Sequence, residues 1–325
     1  MTTRRQLLVA ATLGALGVRH AAAQAQPVKI GMLVPRPISE SVYASGVLRR
    51  LAELGYQHGA GKMVLAYRSA DGVPDRYPRL ARELIDANCD VIFAIGDRHP
   101  PRVLRDAQGS VPIVFVAVDY DPLAKGIVAS LRRPDGNTTG VYVPAIALAA
   151  KRVEIMREVV PAARRHLVFA DPFSSDQLAP VRAAAAAAGV EAVVIEFSKR
   201  PYDYTDAFRA GRKADVGAFV TLASPVFAGD RAELAALLGE HRLPSIGTML
   251  QQTRAGFLLS LGPEDAKVAR RAAEIGVRIL KDAKPADIPV EQADEFELVV
   301  NARTARALNI KLPESVLARA TRIIA

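Results

Sequence analysis

The sequence predicts an α/β chain folded as two doubly wound, Rossmann-like lobes joined by a three-segment hinge. Three observations carry this. Short apolar strands alternate with helices from Val28 onward, four strand–helix units in roughly 120 residues. The alternation stops at RRPDGNTTG, where Asp135, Gly136 and Asn137 are turn residues, and then restarts as a second unit of similar order. Two later stretches, TMLQQTRAG and the proline- and charge-rich LKDAKPADIPV, read as further crossings between the halves.

Residues 1–25 read as an export leader. Arg4 and Arg5 precede an apolar stretch, Leu7 to Val18, and a small-residue end, Ala21 to Ala25. The layout fits an ordinary secretory signal and a twin-arginine signal equally, with cleavage after Ala23 or Ala25. The mature chain is expected in the periplasm, unanchored.

The mature chain then divides. Residues 26–143 with about 257–287 are expected to form the N-terminal lobe, and 144–256 with about 288–325 the C-terminal lobe. Strands are expected at Val28 to Val34, Val64 to Tyr67, Val91 to Ile95 and Ile113 to Val118, with helices from about Val42, Asp75 and Pro100. VYVPA reads as a connector. The second half begins with a helix from Ala145 to Val160. Strands follow at His166 to Phe169, Val193 to Phe197, Ala218 to Leu222 and Ser245 to Gly247. Phe257 to Leu261 is read as a strand, Pro263 to Leu280 as a long helix, FELVVN as a strand and Pro313 to Ile324 as a closing helix.

Composition narrows the function. The 325 residues carry +9 net charge, but the leader's Arg4, Arg5 and Arg19 supply three of these charges and the other basic residues are dispersed. With no tryptophan and 6% aromatics, stacking surfaces are scarce, so nucleic acid is not an expected partner. The single cysteine, Cys89, excludes an internal disulfide and is expected to be buried. There is no G-x-S-x-G elbow, P-loop, H-E-x-x-H or G-x-G-x-x-G, and no two histidines sit at metal-ligand spacing. No catalytic residue, metal or cofactor is therefore expected. His99 follows a strand and reads as a site residue or a solvated loop residue.

In open parallel sheets, ligands sit beyond the carboxyl ends of the strands. That rule selects the candidate binding residues. In the first lobe they are Arg36 and Ser39, Asp97 and Arg98, and Asp119, Tyr120 and Asp121. In the second they are Asp171, Phe173 and Ser174, then Ser198, Ser224 and Thr248. The Asp119-Tyr120-Asp121-Pro122 turn reads equally as a ligand loop and as a helix cap with proline in the first turn. An amino acid suits the set. Asp119 or Asp97 can pair with an ammonium, Arg36 or a helix N-terminus can hold a carboxylate, and Phe173 or Tyr120 can stack on an apolar side chain.

Several longer stretches add a resemblance. LAELGY, RYPRLARELIDANCDVIFA, VPIVFVAVDYDPLAKGIVASLRRPDGNTTG, KRVEIMREVVPAARR, HRLPSIG and FELVVNARTARALNIKLPESVLARA together resemble a family of bacterial ABC-transporter substrate-binding proteins, some described as tryptophan or tyrosine binders. The resemblance spans Lys29 to Ile324. It implies the type I periplasmic-binding-protein fold, a small-molecule ligand, a monomer and delivery to a membrane ABC permease. Three departures fall where ligand contacts are expected. Gly96-Asp97 stands where the family has glycine with threonine or serine. Phe257 and Leu261 stand for a glycine and a tyrosine in G-G-L-M-S-Y-G-P. Asp135 stands for a glycine. Two other functions remain open at this stage: a ligand-binding accessory of a signalling receptor, and an enzyme using Asp119 and Asp121 with a metal.

Overall fold

The computed structural model describes residues 26–59, 61–96, 98–107, 110–118, 120–134 and 136–325. The expected leader lies outside these residues, as do Asp97 and Asp119.

The first lobe is built from β1 (Val28–Val34), β2 (Met63–Ser69), β3 (Val91–Gly96), β4 (Ile113–Ala117) and β5 (Thr138–Tyr142), with α1 (Val42–Glu53), α2 (Tyr77–Asp86) and α3 (His99–Asp106) between the strands. β3 and β4 are apolar because they are covered on both faces. α1 begins at Ser41, whose Oγ accepts from the Ala44 N–H at 3.2 Å, a side-chain N-cap.

The second lobe repeats the plan. It contains α4 (Ala145–Val159), β6 (Arg165–Ala170), α5 (Leu178–Ala187), β7 (Glu191–Glu196), α6 (Tyr204–Lys213), β8 (Ala218–Thr221), α7 (Pro225–Gly229), α8 (Arg231–Glu240), β9 (Ser245–Gly247), α9 (Leu250–Ala255) and β10 (Leu259–Pro263). The chain then runs through α10 (Asp265–Ile279), β11 (Glu291–Gln292), β12 (Phe296–Asn301), α11 (Ala302–Leu308), α12 (Glu314–Arg319) and β13 (Arg322–Ile324).

Two sheets result, ordered β11-β5-β4-β3-β1-β2 and β13-β12-β10-β9-β8-β6-β7. All pairs are parallel except β10 with β12. In both, the first strand of the lobe lies between the second and the third. Each sheet therefore has a topological switch point, at β1/β3 and at β6/β8, where a crevice opens.

The chain passes between the sheets three times: after β5, between β10 and α10, and between β11 and β12. The last two passages lie later than the sequence suggests. TMLQQTRAG is not a crossing but contains α9. β10 stays in the second sheet beside β12, while α10 packs along α1 of the first lobe, tied by Arg50 to Glu274 at 2.7 Å. β11 pairs with β5 in the first sheet, so the third passage follows Gln292 rather than 287.

Two other expectations are corrected. Thr138–Tyr142 is a central strand rather than a turn and connector, because β4 supplies a parallel partner along its length. The chain end is not one helix. α12 stops at Arg319, and Arg322–Ile324 closes the second sheet against β12.

Gly262 in β10 runs against the loop after β9. A Cβ there would collide with the Thr248 carbonyl oxygen, far inside van der Waals contact. The neighbouring Leu261 carbonyl accepts from the Arg152 Nε at 2.9 Å, and Arg152 is fully buried. Gly262→Ala should push β10 off this loop and cost about 3 kcal/mol, the upper part of the usual range for overpacking. Denaturant unfolding reads the loss. An unchanged midpoint would show that β10 has room to move.

Candidate functional site

The two switch points face each other across a cavity of about 70 Å³, several times the ~10–15 Å³ that one water needs. Pro35 and Arg36 after β1, Ile95 and Gly96 closing β3, and Val118 after β4 form the wall from the first lobe, with the first turn of α1. Ala223, Ser224 and Pro225 after β8, Thr248 and Met249 after β9, and Gln251 of α9 form the opposite wall. Gly96 sits at φ 106, a left-handed backbone that favours glycine, and packs on Pro35. A broader groove of about 660 Å³ lies where the second sheet's strands begin, beside Arg165 and Glu191. Those two side chains pair with each other at 2.9 Å, and the groove draws on one lobe alone.

The lobes touch around the cavity. Lys125 beyond β4 meets Asp176 beyond β6 at 2.7 Å. Arg36 approaches Asp230 at 3.9 Å, and Arg200 approaches the same carboxylate at 3.5 Å. The His99 ring stacks on Tyr77 and meets the edge of Phe173 from the other lobe, with centroids 6.1 Å apart. The arrangement is a closed cleft.

Of the residues selected from the sequence, Arg36, Ser224 and Thr248 line the cavity. Arg36 is paired within its own loop, Nη2 to Glu40 at 2.5 Å. Asp171 stands one bond behind Ser224 and is buried. Its Oδ1 accepts from the Phe173 and Ser174 N–H groups and the Ser174 hydroxyl, and its Oδ2 from the Ser224 hydroxyl at 2.5 Å. Burial raises its pKa, and these hydrogen bonds work against the rise. Asp171 and Ser174 thus fasten two loops of the second lobe to each other.

Among the described residues, the other candidates do not line this cavity. Ser39 and Ser198 are exposed. Arg98 is the N-cap of α3 and does not reach the cavity wall. Tyr120 is buried in the first lobe's core with Phe115 and Ile127, so it is not a stacking surface here. The Asp121 Oδ1 accepts from the Leu123 and Ala124 N–H groups, but no helix follows, so Asp121 closes a turn rather than capping a helix. Phe173 is buried against His99. Phe257, one of the departures noted above, packs on Phe219 in the second lobe's core, away from the cleft. Cys89 is buried, and desolvation raises its thiol to about 11, which leaves it protonated and unreactive at neutral pH.

Three polar groups at the cavity floor escaped the sequence reading because they lie on helices rather than strand-end loops. Tyr43 is in the first turn of α1, Gln251 in α9 and Asp265 at the start of α10. Tyr43 and Gln251 line the cavity, and both act on the Asp265 carboxyl. Burial pushes Asp265 up to about 6, with Glu297 adding to the rise and Tyr43 and Gln251 opposing it. The sequence signal was present: Gly262-Pro263-Glu264-Asp265 has the strand, turn, proline and acid pattern of Asp119 to Pro122.

The chain matches the ABC transporter substrate binding protein family over residues 28–324. It belongs to that family. It is similar to the tyrosine-binding protein of Clostridioides difficile strain R20291, 22% identical over 287 residues, which are 87% of this chain and 80% of that one. Among solved structures it is similar to a conserved domain protein from Vibrio cholerae, at TM-score 0.80 and 25% identity, covering 91% of this chain and 99% of that one. It is also similar to an ABC domain from Streptococcus pneumoniae in complex with L-Trp, at TM-score 0.78 and 23% identity, covering 91% and 100%. The cleft lies between two lobes of the type I periplasmic-binding-protein fold. No helix of the described residues is long and apolar enough to cross a membrane.

Asp265 makes the stability of this substrate-binding protein pH-dependent in a specific sense. Below about pH 4 the carboxyl is protonated in both folded and unfolded chains. Between about 4 and 6 the unfolded carboxyl ionises while the folded one stays neutral, so stability falls as pH rises through that window. Asp265→Asn removes the titration. The variant should gain on wild type by about 2 kcal/mol between pH 4 and 7, less than the full shift because part of the residue reaches solvent. Thermal melts across that range read the widening difference. A pH-independent difference would mean that the carboxyl titrates normally.

Proposed function

We propose that this protein is an exported receptor that captures a small molecule, an amino acid or a close relative, between its lobes and delivers it to an ABC permease. The observation that carries the reading is the single cavity position shared by both switch points, with Arg36 on one wall and Ser224 and Thr248 on the other. A ligand seated there touches both lobes. It therefore gains contacts in the closed form that the open form lacks, and this difference in affinity is what shifts the lobes toward closure.

The walls fit an amphipathic ligand. Val42, Ile95, Val118, Ala223, Pro225 and Met249 supply apolar surface. The first turn of α1 faces the cavity, and its Val42 and Tyr43 N–H groups, which lack intrahelical acceptors, suit a carboxylate. Tyrosine- and L-Trp-binding relatives support the amino-acid class. Asp97 and Asp119 keep the ligand-contact role proposed from the sequence. Export is supported by the leader pattern at residues 1–25. The chain is proposed to work as a monomer, with the permease reading the closed pair of lobes.

A thermal-shift screen of residues 26–325 against amino acids, carboxylates, aromatics and sugars tests the reading. A true ligand at about 100 times its dissociation constant should add roughly 2.7 kcal/mol. Small-angle scattering with that ligand should fit one closed monomer. A screen without any shift, beside turnover in a hydrolase assay, would overturn the receptor reading.

A further inference from the structure

We infer that Tyr43, Gln251 and Asp265 form an acceptor site for a primary ammonium group of the ligand. The inference rests on the receptor reading above and names the group the cleft selects.

The two acceptors at the floor lack donors. The Gln251 Oε1 and the Asp265 Oδ1 are enclosed and have no hydrogen-bond partner in the structure. Tyr43 and Gln251 border the cavity, and both act on the carboxyl of Asp265 at the start of α10. The floor is thus acceptor-rich and backed by a carboxylate.

The cations nearby bond elsewhere, although the enclosed Arg152 Nη1 has no partner. Arg36 pairs with Glu40, Arg231 donates to the Ala228 carbonyl, and Arg152 donates its Nε to the Leu261 carbonyl. Among the described residues, no Lys, Arg or His forms an ion pair with Asp265. An enclosed carboxylate of this kind is stable when a cation with several N–H donors arrives with the ligand. An ammonium carries three donors and one charge. A sugar brings hydroxyls without charge, and a simple carboxylic acid brings charge of the wrong sign.

The site also spans the hinge. Tyr43 and Asp265 belong to α1 and α10, which pack together on the first lobe, and Gln251 belongs to α9 on the second. An ammonium seated between them bonds to both lobes at once, so the same contact that selects the ligand favours closure.

Isothermal titration calorimetry on residues 26–325 tests the site with three matched sets: L-leucine, 4-methylpentanoate and 3-methylbutylamine; L-tyrosine, 3-(4-hydroxyphenyl)propanoate and tyramine; L-tryptophan, indole-3-propanoate and tryptamine. At least one amino acid should bind wild type, and its deaminated acid should bind 100-fold more weakly or worse. Asp265→Asn should weaken the amino acid at least tenfold and leave the deaminated acid unchanged. Gln251→Leu should weaken the amino acid too, and serves if the first variant fails to fold. An amino acid that binds both variants as it binds wild type would overturn the ammonium site and leave the receptor reading intact. Amines that bind through Asp265 while amino acids do not would uphold the site and overturn the amino-acid reading. If neither amino acids nor amines bind, both fall.

Discussion

The close passage of Gly262 across the Thr248 carbonyl sets the geometry on which the cleft depends. β10 can lie against the loop after β9 because residue 262 has no side chain. Arg152 holds the adjoining Leu261 carbonyl and stays charged at neutral pH, although burial lowers its pKa to about 9. Thr248 and Gln251 precede this passage, and Asp265 follows it. Residues far apart along a strand–helix–strand path are thereby brought to one floor, immediately before the chain leaves one lobe for the other.

The two buried carboxylates of the cleft region show how burial alone does not define a role. Asp171 is surrounded by donors from its own lobe, so its charge is met internally and its work is to fasten loops. Asp265 has one enclosed oxygen with no donor, beside an enclosed amide oxygen in the same condition. Buried acceptors of that sort are costly unless something supplies the hydrogen bonds. Across the cleft the lobes also carry Lys125–Asp176 and the approach of Arg36 to Asp230. These pairs are partly exposed, so each adds little. They hold the lobes together only weakly.

Much of the fold was legible because both periodicities are strong here. β3, β4 and β6 are apolar runs bounded by turns, and α1 and α10 carry a clear buried face. The losses have physical causes. Thr138–Tyr142 opens with threonines next to Asn137, so a β-branched start looked like the end of a turn. Arg322–Ile324 is too short to show a period and is a strand because β12 offers it an edge. The site was half legible. Arg36, Ser224 and Thr248 follow strands and obey the strand-end rule, while Gln251 sat in a stretch read as a crossing, and Asp265 looked like an acid complementing a helix N-terminus.

The amino-acid sequence by itself determined the two-lobed α/β class, the repeated lobe plan, the absence of familiar catalytic motifs and the strand ends where a ligand belongs. Those follow from local periodicity, turn chemistry and composition, which act over a few residues. The tertiary structure alone decided where the second and third crossings fall, which carboxylate is satisfied and which is left with an open acceptor. Those depend on contacts between segments more than 100 residues apart, such as Arg152 with Leu261, and no local pattern carries them.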